Sequence, residues 1–548
     1  MAGRQILKVA GGGTFLGLVT GSSLVYLKHN NWEINSTGIV RFGRAAVAAV
    51  GVAADYKRTL SSLQKDSESY AEEKSKLHWR AAEKLREMCC VNRGCFIKVG
   101  QHIGALEFLL PKEYVDVFKV LHSDAPKSRI EELKLVIKED LGKEADELFS
   151  SFDEEPLGTA SLAQVHRATL KDGTEVAVKV QHPRVKANSF VDMTTMDILV
   201  HLIARVFPDF QFVWLAEETK KNLPKELDFI HEAKNCERVA RMLSNFDFLK
   251  VPKIYWNLTT ERVLTMEYCG GGQVNDKEYM KKHKINVEDV SRKLGMVYSE
   301  MIYVHGYIHC DPHPGNVLVR KVPGKGTEIV LLDHGLYQTL TDDFRLNYCK
   351  LWMSTIEKDL EGIKKYAERL NTGHLYGLLA CMVTGRSWQA ITTGIDQQAF
   401  TEEEGDLIKD SAASFLPQIS EILNKVPRQM LLIFKTNDLL RGIETTLKTR
   451  ADAGSIITMS KCCIRAIFNN KRKQCNNTWC RIRTTFTEQY YLMKIVVYQW
   501  YLWFTGQSTL LAVKTTLTDT LQNRREHFVE KWKARYYQFR GIEPAETS

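Results

Sequence analysis

The pattern of apolar and polar residues changes character along the chain. From about residue 70 to 150, apolar residues recur at three- and four-residue spacing between charged faces, which predicts amphipathic helices. Residues 156–182 then alternate in two short runs around Lys171-Asp172-Gly173, which predicts a β-hairpin. The strand-like RVLTMEY runs into glycines 270–272, which predicts a connection between two lobes. The later runs NVLV and IVLL each border a turn and predict two more short strands.

Residues 9–27 form a charge-free stretch near the start of the chain, long enough to cross most of a bilayer as a helix. Gly13, Gly17 and Gly21 have the spacing that packs transmembrane helices, but they also lower helix propensity. A retained anchor and a cleaved leader therefore both fit the pattern. A secretory signal fits less well, because no clear small-residue cleavage site follows. We expect residues 1–65 to be a mitochondrial targeting segment, with a membrane anchor as the alternative to cleavage.

A second signal lies near the other end of the chain. Between Asp452 and Glu488 the chain has no acidic residue but seven lysines and arginines. The charge-free stretch 495–513 follows and contains tryptophans and tyrosines, and aromatic rings beside basic residues suit an anionic membrane surface. A helical subdomain that packs its aromatics against the main body explains the same pattern equally well. Nucleic-acid binding is less well supported, because no known binding module accompanies the basic residues.

Composition narrows these interpretations. The chain has 548 residues, of which 44% are hydrophobic and 26% charged, which excludes a disordered or fibrous protein and allows about three domains. The net charge of +9 is too small to indicate nucleic-acid binding without a local patch. Twelve cysteines without a C-x-x-C pair predict reduced, mostly buried thiols rather than a disulfide scaffold or a zinc site.

The strongest chemical signal lies in the loops beside the two later strands. Asp311 lies in the loop DPHPGN, which also carries Asn316, and Asp333 follows the strand IVLL. Two carboxylates and an amide on neighbouring loops offer the oxygen ligands that Mg²⁺ prefers. A D-P or D-H-G sequence alone would indicate only a turn. The ordered set is more specific than either, and it predicts a phosphoryl-transfer centre.

The predicted hairpin supplies the cation that such a centre needs. A small-residue run at 158–161 precedes its first strand, and its second strand, EVAVKVQ, carries Lys179. A tight hairpin can lie over phosphates while a following lysine reaches them. Glu232, in the next helical segment, is a candidate counter-ion for Lys179. A lysine on a solvated strand face and acids on an exposed helix face are the simpler interpretations of each residue alone.

Taken together, these motifs resemble those of the UbiB/aarF atypical kinase family, over roughly residues 85–337. The K-x-G-Q motif of the family matches Lys98 to Gln101, its E-x-D motif matches Glu226 and Asp228, and its H-x-D-P-H-P-G-N loop is present at 309–316. The alanine-rich loop of the family corresponds to Gly158, Thr159, Ala160 and Ser161. Its strand lysine and helix acid correspond to Lys179 and Glu232. This sequence departs from the family where it has Gly158 and Thr159 instead of alanine, and His334 instead of phenylalanine.

The resemblance implies an α+β, bilobal protein-kinase-like fold between a helical extension and a helical C-terminal region. We accordingly assign residues 66–152 to the extension with the K-x-G-Q motif, 153–272 to the N-lobe, 273–450 to the C-lobe and 451–548 to the basic, aromatic C-terminal region.

The resemblance also implies a role for each matched residue. Asp311 would be catalytic, and Asn316 and Asp333 would hold Mg²⁺. ATP would contact the loop at 158–161 and the Lys179–Glu232 pair. Lys98 and Gln101 would cover the space where a protein kinase accepts its peptide and meet Glu226 and Asp228, so that the active site is guarded.

The function implied is an ATP-dependent kinase or ATPase that supports mitochondrial lipid homeostasis and membrane organisation, with a small molecule or lipid as acceptor. The expected partners are membrane lipids, anionic or isoprenoid, and mitochondrial inner-membrane proteins, without nucleic acid. A nucleotide-binding membrane scaffold that transfers no phosphate is one alternative. A protein Ser/Thr kinase is another, although the K-V-G-Q segment and the missing glycine-rich loop weigh against it.

Overall fold

The computed structural model describes residues 37–61, 68–104, 110–122, 127–207, 213–394, 404, 408, 415–449 and 454–506. The chain divides into two compact units, Met1–Asp452 and Ala453–Ser548, which are described separately below. The apolar stretch 9–27, and the part of the stretch 495–513 that follows residue 506, lie outside the described residues.

The described helices of the first unit, in chain order, are α1 (Gly38–Leu60), α2 (Glu68–Asn92), α3 (Cys95–Gly104), α4 (Lys112–Lys119), α5 (Ile130–Leu141), α6 (Ala145–Leu148), α7 (Val185–Val206), α8 (Val213–Glu226), α9 (Phe229–Met242), α10 (Lys277–Lys282), α11 (Val287–Ser299), α12 (Asp342–Glu357), α13 (Leu360–Arg369), α14 (Tyr376–Thr384), α15 (Trp388–Thr393), α16 (Leu416–Lys425) and α17 (Arg428–Leu447). The strands are β1 (Phe149–Phe152), β2 (Gly158–Thr159), β3 (Ala163–Leu170), β4 (Glu175–Gln181), β5 (Leu249–Lys250), β6 (Val263–Glu267), β7 (Gly272–Gln273), β8 (Tyr307–His309), β9 (Val317–Val322), β10 (Gly326–Leu331) and β11 (Tyr337–Thr339). Helices precede, separate and follow the strands, so the predicted α+β class is confirmed.

The first sheet is antiparallel and has the strand order β1-β3-β4-β6, with β2 paired to β3. The predicted hairpin is confirmed as β3 and β4, joined by a turn in which Gly173 has a φ of 86°. A side chain would be strained at that φ, and glycine is not. Strand β4 is buried along nearly its whole length because helices cover both faces of the sheet.

Alternation along β4 decides which residue meets which helix. Val176, Val178 and Val180 pack with residues of α5 in one apolar cluster, which includes Leu133. Ala177, on the opposite face, belongs to a second cluster with residues of α9. The next side chain on the face of Ala177 is that of residue 179, so this residue is directed towards α9.

The second sheet has the order β5-β10-β9-β7, in which β9 and β10 form an antiparallel hairpin, while β8 pairs with β11 in a separate ribbon. Its core includes residues of α11, β9, β10 and α17. The predicted glycine connection runs from β6 of the first sheet to β7 of the second. Gly272 must be small there, because an added Cβ would lie 2.2 Å from the ring of Tyr279.

A buried ion pair anchors α1, which precedes the helical extension in the chain. Nε of Arg41 on α1 lies 2.7 Å from Oδ1 of Asp192 on α7. Nδ2 of Asn92, at the end of α2, donates to the main-chain carbonyl of Arg41 at 3.2 Å. The Asp192 side chain is 1% exposed, so its charge depends on this partner. The pair therefore holds three helices together at one point.

The second unit contains two described helices, α18 (Gly454–Lys473) and α19 (Thr478–Gly506). The short turn between them brings Cys475 and Cys480 together in a disulfide, with their Cα atoms 5.6 Å apart. The expectation of reduced thiols is therefore wrong for these two residues and right for the other ten cysteines, which are free. The two cysteines have C-x₄-C spacing across a helix–helix turn, which the absence of C-x-x-C pairs does not exclude. None of the helices in the described ranges is both long and apolar enough to span a bilayer.

Candidate functional site

Lys179 lies at the centre of a cluster of charges. Its Nζ donates to Oε1 and Oε2 of Glu232 on α9 at 2.8 and 2.9 Å. It also donates to Oδ2 of Asp333, which follows β10, at 3.0 Å. Lys179 and Glu232 are 11% and 2% exposed, whereas Asp333 keeps 35% of its side chain exposed. The cluster is therefore dry on the side of the lysine and open to a ligand at Asp333.

The ionisation of this cluster follows from burial and pairing. Burial disfavours the Lys179 ammonium, but the Asp333 and Glu232 carboxylates raise its pKa well above the usual value. Burial alone would raise the pKa of Asp333, but Lys179 and the backbone N–H of Gly335 hold it well below its usual range. Burial raises the pKa of Glu232 to about 7, with Lys179 opposing that rise and Asp333 adding to it. Lys179 is thus charged and is shared by the two carboxylates.

The catalytic candidate Asp311 lies in the loop between β8 and β9. Asn316 closes this loop, because its Nδ2 donates to the main-chain carbonyl of Asp311 at 3.1 Å and lies 3.5 Å from Oδ2. Nζ of Lys435, on α17, donates to Oδ1 of Asp311 at 3.0 Å. Although burial raises the pKa of Asp311, Lys435 and Lys98 hold it well below its usual range. The carboxylate is therefore ionised at neutral pH.

Lys435 is a site residue that sequence reasoning missed. It stands in LLIFKTNDLL, as the only charge in an otherwise apolar helical run before Asp438. A lysine in such a run usually extends its ammonium to solvent. The available signal in the sequence is the run of apolar residues around Lys435, which indicates a buried helix rather than a surface helix.

Two buried histidines fix the loop that carries Asp311 and the turn that carries Asp333 relative to each other. His309, two residues before Asp311, lies between the hydroxyl of Tyr298 at 2.7 Å and the main-chain carbonyl of Asp333 at 2.6 Å. Burial lowers the pKa of His309, which favours the neutral ring. One imidazole thus links the chain before Asp311 to the backbone of Asp333.

His334 stands where the related family usually has phenylalanine, and it packs as a neutral aromatic ring. Its Nδ1 lies 2.8 Å from the hydroxyl of Tyr337, and its Nε2 lies 3.1 Å from the main-chain carbonyl of Leu331. Burial lowers the pKa of His334 to about 3. The neutral ring donates from Nε2 to the carbonyl and accepts from the tyrosine. This histidine therefore keeps the Asp333 turn in place by hydrogen bonds as well as by stacking on Tyr337.

The small-residue segment lies across the sheet from the lysine. Gly158 pairs with Val165 on β3, and Val165 pairs with Lys179 on β4, so the three residues occupy one row. At the usual strand spacing, the segment is about 10 Å from the backbone of Lys179. Ala160 ends the row in a tight turn: its N–H donates to Ala163, and its carbonyl lies 2.9 Å from Nε2 of His182. The buried side chain of Ser161 and the half-buried side chain of Thr159 are small enough to leave this backbone open to a phosphate-bearing ligand.

The four proposed gating residues do not form one cluster: two of them pair with each other, and the other two have separate partners. Nζ of Lys98 on α3 lies 2.6 Å from Oε2 of Glu226 at the end of α8. Gln101 instead donates to the main-chain carbonyl of Leu121 at 2.9 Å. Asp228 caps α9 by accepting from the backbone N–H groups of residues 230 and 231. The structure thus joins Lys98 to Glu226 only, and Asp228 acts on the start of the helix that carries the Lys179 partner.

Lys98 extends the charge cluster towards Asp311. Burial disfavours its ammonium, but the Glu226 and Asp311 carboxylates raise its pKa well above the usual value. Asp333 acts in the same direction. The site therefore carries lysines from three separate elements, α3, β4 and α17, each beside a carboxylate.

Removing the cap of α9 tests the role that the structure gives Asp228. We expect Asp228→Ala to cost about 1 kcal/mol of stability and to weaken nucleotide binding, because the first turn that holds Glu232 frays. Asp228→Ser, which keeps a capping oxygen, should retain both properties. Thermal unfolding and titration with a fluorescent ADP measure them. Asp276→Ala, which removes the cap of α10, should cost similar stability without changing nucleotide affinity. A serine variant as weak as the alanine variant would contradict the capping role and favour a carboxylate gate.

Similarity to known proteins identifies the family of the chain. The family described as "ABC1 atypical kinase-like domain" matches residues 120–367. The chain is 53% identical to AarF domain-containing protein kinase 1 of Gallus gallus, over 92% of this chain and 96% of that protein. It is 49% identical to AarF domain-containing kinase 1 of Drosophila melanogaster, over 90% of this chain and 96% of that protein. A solved complex of Rv3197 with erythromycin from Mycobacterium tuberculosis aligns at 20% identity and a TM-score of 0.43, over 69% of this chain and 94% of that one. The chain belongs to the ABC1/AarF family of atypical, kinase-like proteins.

Proposed function

We propose that this protein transfers the γ-phosphoryl group of ATP, in the presence of Mg²⁺, to a small molecule, a lipid or water. Membership of a kinase-like family implies use of ATP and a metal ion in general. The observation that carries the proposal is the convergence of Glu232 and Asp333 on Lys179, from two different parts of the fold. In phosphoryl transfer, the protein mainly positions the reactants and stabilises charge, and such a cluster can do both.

The oxygen donors beside the cluster fit Mg²⁺. Asp333 is held by the N–H of Gly335, which donates to its Oδ1 at 2.9 Å, and its side chain remains partly exposed. Asn316 uses its nitrogen on Asp311, so its amide oxygen is the atom that can ligate a cation. The described part of the chain has no group of three or more His, Cys, Asp or Glu that could hold a metal. This suits Mg²⁺, which takes one or two carboxylates and completes its shell with phosphates and water. When bound, it would neutralise charge on the phosphates.

Asp311 is suited to orient the nucleophile through a hydrogen bond and to take its proton late in the transfer, once the new bond to phosphorus has made that proton acidic. Its carboxylate is ionised because Lys435 and Lys98 lower its pKa. In the transfer step, the nucleophile oxygen bonds to the γ-phosphorus while the bond from that phosphorus to the oxygen of the leaving ADP breaks. The proton of the nucleophile passes to Asp311, and Lys179 is placed to hold the phosphates.

The Lys98–Glu226 pair favours a small acceptor over a protein. The field of Lys98 acts on both Asp311 and Asp333, so α3 lies beside the place of phosphoryl transfer. A peptide would have to displace this buried pair, and breaking one costs several kcal/mol. A small molecule or a single lipid headgroup needs less room. This reasoning supports a lipid or metabolite acceptor and opposes an ordinary protein Ser/Thr kinase.

We further propose that the second unit binds an anionic membrane. Trp479, Phe486, Met493 and Trp500 recur every seven residues along α19 and are all at least 65% exposed. Seven residues are close to two helical turns, so these side chains form one apolar stripe. Basic residues accompany the stripe, and the only acid of α19, Glu488, is buried and paired with Arg472. An apolar, aromatic face with basic neighbours is typical of helices that lie in an anionic membrane interface.

Membrane binding and a lipid acceptor together give the cellular role that we propose, which is support of mitochondrial lipid homeostasis and membrane organisation. The charge-free, glycine-containing stretch 9–27 supports import into mitochondria. Anionic or isoprenoid lipids and inner-membrane proteins are the partners that this role requires.

Loss of the metal ligand should abolish turnover. We expect Asp333→Asn to lower ATP hydrolysis by about 100-fold or more, because it removes the charge that holds the cation. The assay uses the purified full chain with anionic liposomes, with generic protein substrates in a parallel arm. Asp172→Asn, in the β3–β4 turn, is a matched control that should leave the rate unchanged, since asparagine can also accept from Thr174. Turnover that survives in Asp333→Asn would remove the metal assignment, and efficient labelling of the protein substrates would restore the protein kinase alternative.

The stripe on α19 should determine membrane affinity. Replacing Trp479, Phe486 and Trp500 by serine in the full chain is expected to weaken co-sedimentation with phosphatidylglycerol vesicles at least tenfold. Replacing Arg481, Arg483 and Lys494 by glutamine should weaken it similarly, and added salt should reduce that difference. A variant with glutamine at the three exposed lysines of α10, residues 277, 281 and 282, is the control for the loss of positive charge alone. Equal binding by all variants, or equal binding to neutral phosphatidylcholine, would contradict the membrane proposal.

Location can be measured in cells with a C-terminal tag. We expect the tagged protein in the mitochondrial membrane fraction and a variant without residues 1–36 outside it. Tagged protein that is sensitive to endoglycosidase would show entry into the secretory route instead.

A further inference from the structure

Lys435 contacts the catalytic carboxylate although it lies 124 residues away in the sequence. Its Nζ is 3.0 Å from Oδ1 of Asp311, and its side chain is 15% exposed. The loop from Asp311 to Asn316 has the sequence DPHPGN and carries no lysine or arginine of its own. Burial lowers the pKa of His313 in that loop, which favours its neutral form. The positive charge in direct contact with Asp311 is therefore supplied from α17, while Lys98 on α3 adds to it.

Helix α17 holds Lys435 in a defined place. Ile443 and Leu447 belong to the same apolar core as β9 and β10, the strands that flank the catalytic and metal loops. The side-chain oxygen of Gln429 accepts from the N–H of Thr341 at 3.0 Å. Arg441 donates to the main-chain carbonyl of Val383 at 2.7 Å. Both sides of Lys435 along the helix are thus anchored, which fixes the backbone position from which its side chain reaches Asp311.

The ammonium of Lys435 lies close to the place where the phosphoryl group would be transferred. Asp311 accepts a proton from the nucleophile at one hydrogen-bond length, about 3 Å. Lys435 stands one hydrogen-bond length from the same carboxylate, on its Oδ1. An ammonium within about 6 Å of the attacking oxygen is in reach of the phosphoryl oxygens beside it, where negative charge accumulates during transfer. Lys179, by contrast, is already shared between Glu232 and Asp333.

We propose that Lys435 is a catalytic residue that contacts the γ-phosphoryl group of bound ATP and stabilises its charge during transfer. This inference rests on the proposed function, since it needs ATP in the site. Before ATP binds, Asp311 is the anion that satisfies Lys435. After ATP binds, the phosphoryl oxygens and Asp311 share it.

Two other roles predict different behaviour. If Lys435 only neutralised Asp311 as a structural partner, its removal would matter through Asp311 alone. If it blocked Asp311, its removal would raise turnover. The proposed phosphoryl contact instead requires an effect on ligands that carry a γ-phosphate and none on ADP.

The test compares binding of ADP with binding of a non-hydrolysable ATP analogue, in the full chain with Mg²⁺. We expect Lys435→Met to weaken the analogue roughly tenfold and to change ADP affinity less than twofold. The same loss of analogue affinity should occur when Lys435→Met is combined with Asp311→Asn, because the phosphate contact does not act through Asp311. Turnover of ATP by Lys435→Met should fall about 100-fold, and Lys435→Arg should restore part of it.

Lys425→Met is the matched control. That lysine lies on α16, and its Nζ forms an ion pair with the partly exposed Glu421 one helical turn away. This variant should behave as wild type, and thermal unfolding should show that all variants are folded. Unchanged analogue affinity in Lys435→Met, an effect that disappears in the Asp311→Asn background, or increased turnover would each overturn the proposal. Failure of the proposed function and failure of this inference can be distinguished. If the wild-type protein shows no turnover that depends on Asp333, the proposed function is contradicted. If the Lys435→Met variant behaves as wild type, the role of Lys435 is contradicted.

Discussion

The arrangement of the site depends on one constraint, which is that an ammonium withdrawn from water must be paired. Lys179 is nearly inaccessible, and an unpaired buried ion would cost several kcal/mol. Its two partners come from different parts of the fold: Glu232 is on α9, which packs on the first sheet, and Asp333 follows β10 of the second. The lysine therefore fixes where the two sheets meet, and the same contact places Asp333, the proposed metal ligand, beside β4.

The remaining charges obey the same constraint in pairs. Lys98 pairs with Glu226, and Lys435 pairs with Asp311. Each pair joins segments that are distant in the chain, so the site is held together by charge as well as by the apolar cores behind it. His309 and His334 stay neutral because burial lowers the pKa of each, and they add hydrogen bonds without adding to the charge balance. Because the charges are paired and the two histidine rings beside them are neutral, many ionisable groups can be buried in one site.

Much of this site follows from local sequence rules. Alternation along β4 directs Lys179 towards α9, and the turns after short strands expose Asp311 and Asp333. These are effects within a few residues, which a sequence displays directly. The fold class followed from the same patterns together with the resemblance to a known family.

What could not be predicted depends on contacts between distant segments. Lys435 looks like a solvent-directed lysine until α17 is packed against β9 and β10. Asp228 matched a motif that pairs it with Lys98, but its position one residue before α9 makes it a helix cap instead. Cys475 and Cys480 form a pair only because the turn between α18 and α19 is short. In each case local sequence permits two roles, and tertiary packing selects one.

Lysine rather than arginine at positions 179 and 435 suits the function that we propose for the site. Arginine would hold a carboxylate through two fixed hydrogen bonds and would release it reluctantly. An ammonium is a point charge on a flexible stem, so it can turn from a protein carboxylate to a phosphate with a small movement. Because the lysine exchanges one anion for another, the desolvation cost of burying it has already been met before ATP arrives. On the proposed function, the resting ion pairs at Asp311 and Asp333 are a preorganised form of the binding site, in which an arriving phosphate would compete with carboxylates already in place.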